Sequence, residues 1–236
     1  MNFKELIDDP KADLSVAMIA MVGDKLCFVI QPEKRWIKND FGQVILPFGG
    51  IGGKVEQGEG LLSALARECK EEIGCDCEIV PNKKTSIPII TKNSIIFTEI
   101  KNAPYGLPEF IFKNQKSEPD RKDYTYVFVY RSNLLKPENM VPRDNPAIIM
   151  MEQDLFLKVM SNQVTLKEAK KQGAVVDTVI TLPEEGVLWP TPTPRGYYNL
   201  LMYMEKHGYN KYFFHQKRYH NLLVCCGKKD LSYSRK

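Results

Sequence analysis

The chain has little that would place it outside the aqueous phase. Its clearest early apolar stretch, Val16–Val22, is far too short to span a bilayer. The first residues carry Glu5, Asp8 and Asp9 and lack the basic and apolar regions of a secretion signal, so a cytoplasmic protein is expected. Cysteine is sparse and badly spaced for metal or redox work. There are six, with Cys75 and Cys77 as C-x-C and Cys225 and Cys226 adjacent, and neither pair has C-x-x-C spacing. A disulfide framework does not suit a cytosolic chain of this size, and the thiols are read as small apolar packing groups. The three histidines, His207, His215 and His220, sit eight and five apart and form no helix-face metal pair. Internal repeats and low-complexity tracts are missing as well.

What is present is an ordinary globular composition, with 236 residues, 43% of them hydrophobic and 26% charged, enough for a substantial core. The net charge of +4 is uneven. From Lys206 to Lys236 eight basic residues face the single acid Asp230, which gives +7 there and leaves −3 for the first 205 residues. Such a tail is either a solvated basic end or an attractor for polyphosphate or RNA.

Apolar runs at Leu14–Val22 and Lys25–Gln31, separated by Gly23-Asp24, predict a β-hairpin. Gln43–Phe48 is a short apolar run leading into glycines. From Leu61 to Ile73 the period becomes helical, with Leu62, Leu65, Ala66, Cys69 and Ile73 as the apolar stripe and Gly74 as the stop. Strand-like runs return at Cys77–Val80, Ile87–Thr91, Ser94–Ile100, Tyr124–Arg131 and Ala147–Met151. The Pro-, Gly- and charge-rich stretch Lys101–Lys122 reads as a long loop. Thr165-Leu-Lys-Glu168 is a capping box for a helix closed by Gly173. A last helix follows Thr191-Pro-Thr-Pro194, with Thr193 as its cap and Gly208 as its stop. The pattern predicts an α/β protein, a mixed β-sheet between helices. A catalytic domain over residues 1–160 would be followed by a helical, basic extension over 161–236, the hinge lying near 158–165.

The chemistry concentrates in Gly49–Cys75, GGIGGKVEQGEGLLSALARECKEEIGC. Glu68, Glu71 and Glu72 stand at i, i+3 and i+4, so their carboxylates share one helical face and repel one another. Arg67 can pair with Glu71 or with the loop acid Glu59. A divalent cation answers the repulsion better, since hard Mg²⁺ takes carboxylate oxygens and keeps room for water and phosphate. The glycines before the helix permit close approach of a ligand to the backbone. A solvated Glu-Lys face and a plain tight turn are the alternatives for the two halves taken singly.

The whole spacing resembles the signature of the Nudix hydrolase family, G-x5-E-x7-R-E-U-x-E-E-x-G-U with U a bulky aliphatic. Gly53, Glu59, Arg67, Glu68, Glu71, Glu72 and Gly74 occupy its seven fixed positions. Cys69 and Cys75 stand at the U positions and are smaller than usual there. The resemblance implies a Nudix α/β/α sandwich and a hydrolase of diphosphate linkages dependent on Mg²⁺ or Mn²⁺. Glu68 and Glu72 would ligate the metal, with Glu71 as a further ligand or base and the Gly52 carbonyl as another donor. Arg67 would orient a glutamate with Glu59 on its other side, and Gly53 would border the substrate. One more acid usually comes from beyond the box; Asp144 and Glu152 are the candidates, with Glu118 and Asp120 behind them. The substrate would be a small nucleoside-diphosphate compound, a nucleotide sugar, ADP-ribose or an NTP-like molecule. RNA ends and a non-catalytic nucleotide sensor are the alternatives, and homodimers are common among proteins that look like this one. Subfamily marks are missing: Thr91 stands where many ADP-ribose pyrophosphatases have proline, with Pro88 three residues early, and Thr91–Asn93 lacks the tyrosine of dinucleoside-polyphosphate hydrolases. Trp36 and Trp189 are the aromatics available to stack a base.

Overall fold

A computed structural model describes residues 2–82, 85–90, 95–100, 108–115 and 122–207. The basic tail beyond His207, with His215, His220, Cys225 and Cys226, lies outside the described residues, as do Thr91, Glu118 and Asp120.

The strands are β1 (Ala12–Val22), β2 (Lys25–Ile30), β3 (Ile37–Lys38), β4 (Val44–Gly49), β5 (Asp76–Ile79), β6 (Ser86–Ile90), β7 (Ile95–Glu99), β8 (Phe110–Gln115), β9 (Tyr124–Leu135), β10 (Ala147–Glu152), β11 (Val175–Thr178) and β12 (Val187–Pro190). The helices are α1 (Phe3–Ile7), α2 (Leu61–Ile73), α3 (Gln153–Ser161), α4 (Leu166–Lys171) and α5 (Pro192–Lys206). The sheet is mixed. Its path runs β11-β10-β2-β1-β9-β8-β6-β7, with β4 added beside β2 and carrying β3 and β12, and β5 beside β9. The parallel pair β1–β9 forms its centre, from Ala12 opposite Tyr124 to Met21 opposite Asn133.

The central strands are apolar on both faces, and alternate residues sort into two cores. Ala17, Ile19, Phe28, Ile30, Val129 and Ile149 join Phe156 of α3 and Tyr197, Leu200 and Leu201 of α5. Val16, Met18, Ala20, Val29, Phe128 and Tyr130 join Leu6 of α1 and Leu65, Cys69 and Ile73 of α2. This period-two division is what a sheet buried on both sides requires, and it makes the molecule an α/β/α sandwich. No helix among the described residues is long and apolar enough to cross a membrane.

The expected hairpin, the strand ending in Gly49 and α2 form at the expected places. Gly74 ends α2 in the left-handed region at φ 72°, and its N–H donates to the Lys70 carbonyl. The apolar stripe of α2 is rotated from the expected one. Ala64, Leu65, Cys69 and Ile73 are buried, whereas Leu62 is exposed. The stretch expected to be one long loop contains β8, because Phe110 and Ile111 reach opposite cores while the backbone pairs with β9. The expected hinge is preceded by α3, whose Leu155, Phe156 and Val159 form a buried i, i+1, i+4 stripe. Residues 161–207 carry α4 and α5, and also β11 and β12, so this part of the chain enters the same sheet and the same core as the rest. The capping box of α4 is present as expected. α5 begins two residues earlier than expected. Pro192 fills its first position, Thr191 is its cap residue, and Thr193 is buried inside the first turn.

Candidate active site

The site is assembled where the segment after β4 runs back along β1. The carbonyls of Ile51 and Gly53 accept N–H bonds from Met18 (2.8 Å) and Val16 (2.9 Å), so residues 51–53 lie against the strand like a short extra rung. Gly52 between them presents the opposite edge. Its N–H donates to Glu72 Oε2 at 2.9 Å, and its carbonyl accepts none of the described backbone bonds. Its φ of +151° and its approach to Ala17, whose Cα would lie 2.6 Å from any Cβ, leave room for glycine alone. Gly53 is restricted more softly, by a side chain rather than by backbone. A Cβ there would fall 2.6 Å from the Glu68 carboxyl carbon, so the glycine backbone is the floor on which that carboxylate rests.

α2 supplies the acids, as its spacing predicted. Arg67 gathers them: Nη1 donates to Glu68 Oε1 and to Glu71 Oε2, both at 2.8 Å, while Nε and Nη2 grip Glu59 at 3.1 and 3.0 Å. Nη2 also donates to the Lys54 carbonyl at 2.9 Å, which ties α2 to the loop before it. One guanidinium therefore organises three carboxylates and a carbonyl. They hold its proton more firmly than usual, Glu59 first, and the Arg67 hydrogen bond holds the Glu59 carboxyl below its ordinary range.

Glu72 points inward, away from Arg67. It lies between the Gly52 N–H and the side-chain amide of Asn145, whose Nδ2 donates to Oε1 at 3.0 Å. Burial pushes its pKa up to about 7, against those two hydrogen bonds, and the charges of Glu68 and Asp144 push the same way. Glu68 is raised too, chiefly by burial and against the pull of Arg67. A negative pocket that resists ionisation of its own carboxylates is an environment that a cation would relieve.

Asn145 was not foreseeable, since it lies 73 residues from its partner. Its segment clamps the end of α2. Val141 N–H donates to Ile73 O, Arg143 N–H to Glu72 O, and Arg143 Nη1 to Lys70 O. The same clamp brings in Asp144, one of the two acids expected from beyond the box. The other, Glu152, sits opposite Lys25 at the β1–β2 turn, whereas β2 meets Gly49 at its far end, so the fold does not bring Glu152 to the box. Cys69 and Cys75, the small residues at aliphatic positions, are buried as packing groups. Pro88 pairs with Phe97 within the β6–β7 hairpin.

Among the described residues no three acidic, histidine or cysteine side chains already converge as a closed metal cluster. Arg67 holds Glu68 and Glu71, while the Gly52 and Asn145 donors hold Glu72. The donor set nonetheless fits a hard dication: three carboxylates on adjacent turns, a peptide carbonyl without a backbone partner beside them, and no soft ligand in the group.

The model of the NUDIX domain matches residues 12–171, about two thirds of the chain and all of this site. The chain belongs to the Nudix family. Nudix hydrolases generally use a divalent metal. The chain is also similar, at low identity, to several solved structures. An NUDIX-family hydrolase from Clostridium perfringens is 15% identical with a TM-score of 0.40, over 62% of this chain and 85% of that one. The E. coli ORF135 protein is 16% identical with a TM-score of 0.37, over 62% and 78%. A MutT protein from Methanosarcina mazei is 13% identical with a TM-score of 0.35, over 64% and 83%. No curated protein matches the chain. The Nudix match ends at residue 171, so β11, β12 and α5 lie beyond it.

Proposed function

We infer that this Nudix protein hydrolyses the diphosphate linkage of a nucleoside diphosphate joined to another moiety, a nucleotide sugar, ADP-ribose or an NTP-like compound, with Mg²⁺ or Mn²⁺. The observation that carries this reading is the complete acidic set of α2 placed against the glycine backbone, with Glu72 half-buried at the Gly52 N–H and Glu68 on the Gly53 floor.

Glu68 and Glu72 would hold the cation, with Glu71 and the Gly52 carbonyl as further donors. When bound, the cation neutralises phosphate charge and lowers the pKa of its water. The remaining work falls to the protein. Arg67, fixed by Glu59, sets the rotamers of Glu68 and Glu71 before substrate arrives. Glu68 or Glu71 accepts the proton of the attacking water, each lying one hydrogen bond from the same guanidinium. Asn145 orients Glu72. Gly53, without a side chain, gives the Glu68 carboxylate room to sit against the backbone.

The test is a panel of nucleoside diphosphates, triphosphates, nucleotide sugars and dinucleotides incubated with the full chain and Mg²⁺ or Mn²⁺. The expected product is a nucleoside monophosphate with the other half of the substrate as a phosphate ester, as orthophosphate from a diphosphate, or as pyrophosphate from a triphosphate. Tight nucleotide binding with no turnover in either metal would replace the hydrolase by a sensor.

A further inference from the structure

The sheet face that carries α2 continues past the glycine segment into a shelf that no helix among the described residues covers. Along β4, Leu46 and Phe48 enter the core under α3 and α5, so Ile45, Pro47 and Gly49 point to the α2 side. Val29, opposite Gly49, lies in the α2-side core and fixes the assignment. The cross-strand neighbours on that face are Ile37 beside Ile45 and Trp189 beside Pro47. Ile37 is 64% exposed and Trp189 46% exposed. This apolar ledge therefore begins within the strand that ends at Gly49.

The chain's other tryptophan is committed elsewhere. Trp36 is half-buried against the opposite core, and its indole N–H donates to the Gln31 carbonyl at 2.8 Å. Trp189 instead carries a cation: the Arg195 guanidinium lies 4.9 Å from its ring centroid. The turn from β12 into α5 is locked to the glycine strand. Thr191 N–H donates to Phe48 O at 2.9 Å. A Cβ on Gly49 would come 2.9 Å from Thr191 Oγ1 and 3.2 Å from Gln31 Nε2, and one on Gly50 would come 2.8 Å from Thr193 Cγ2. Trp189 and Arg195 are thus held in fixed register with the box, although they lie in the part of the chain that the Nudix match does not reach.

We propose that Trp189, backed by Arg195, is the platform on which the nucleobase of the substrate stacks. The inference rests on the hydrolase reading above and adds what selects the substrate. An exposed indole one strand from the segment that leads into the glycines offers a flat apolar face to a flat ring, and Arg195 stacked on that indole holds it in place. Stacking on an indole tolerates every base, so this platform selects nucleotides over diphosphates without a base and discriminates weakly among bases.

Two measurements on the full chain test it. Tryptophan fluorescence is titrated with AMP, UMP and ribose 5-phosphate, in wild type and in Trp189→Phe. AMP and UMP should quench the wild type, ribose 5-phosphate should not, and Trp189→Phe should lose the response because Trp36 is tethered on the other face. Kinetics on the nucleotide substrate should show Trp189→Ala raising KM about tenfold with a much smaller change in kcat, and Trp189→Phe recovering most of the loss. Equal quenching by ribose 5-phosphate, or a response that survives in Trp189→Phe, overturns the proposal, as does an unchanged KM in Trp189→Ala. Absence of turnover in the wild type would sink the hydrolase reading while leaving the base-dependent quenching to stand or fall by itself.

Discussion

Replacing Glu72 with Gln separates what this carboxylate costs the fold from what it gives the reaction. In metal-free protein its pKa rises from an ordinary 4.5 to about 7, with burial as the main cause. A carboxyl raised in this way favours the folded state while it stays neutral. That stabilisation is complete below the unfolded value near 4.5 and is lost as the pH rises through about 7. The loss approaches about 3 kcal/mol at pH 8, since each tenfold change in proton affinity is worth about 1.4 kcal/mol. Gln cannot ionise, so it avoids the loss. Its carbonyl can keep the Gly52 N–H, and its amide can meet the Asn145 side chain if that amide turns over, since a terminal amide presents a donor and an acceptor. Denaturant unfolding in EDTA should therefore show Glu72→Gln at least as stable as wild type at pH 8, with the advantage vanishing toward pH 5. Adding Mg²⁺ should raise the stability of wild type and leave the variant unmoved, because the missing charge is a ligand. Hydrolysis in Mg²⁺ should fall by roughly a thousandfold or more, the loss of several kcal/mol of transition-state stabilisation. Near-normal turnover, or an unchanged magnesium-induced stabilisation, would refute the assignment.

Other outcomes follow from single contacts. Gly53→Ala places a methyl group on the Glu68 carboxylate and should lower kcat/KM about a hundredfold through misplacement, a prediction that wild-type kinetics would contradict. Arg67→Lys keeps the charge but cannot grip Glu59 while bridging Glu68 and Glu71; thermal unfolding should show a loss of about 1–3 kcal/mol, and an unchanged midpoint would deny the clasp its role. Asp9 is held below its usual range, first by the Tyr124 hydroxyl at 2.6 Å, so its stabilisation is present above the unfolded value and lost as the pH falls through the depressed one. Asp9→Asn should therefore lower the unfolding temperature at pH 7 by an amount that shrinks as the pH falls below the ordinary carboxylate range, and a gap that widens in acid would reverse the reasoning.

The acids of α2 were legible in the sequence because helical geometry turns spacing directly into proximity. Glu68 and Glu71 fall within reach of Arg67 whatever the rest of the fold does, and Glu59 is close because the loop between them is short. The hairpin and its turn were legible for the same local reason. Asn145 and the Arg143 clamp were not, since they reach α2 only after β9 has crossed the sheet. β8 was hidden because six strand residues lie within a polar, proline-rich stretch, and what makes them a strand is pairing with β9. The difference between Trp36 and Trp189 is likewise tertiary. Nothing local says that one indole is tied to Gln31 while the other lies open beside Pro47.

The central claim is that the glutamates of one helical turn and the Gly52 carbonyl enclose a dication. Crystals of the full chain grown in manganese, with an anomalous difference map, address it most directly. A peak bounded by Glu68, Glu72 and the Gly52 carbonyl is the predicted result. A map with no peak there, and with the Glu68 and Glu72 carboxylates still turned apart toward Arg67 and Asn145, would contradict it.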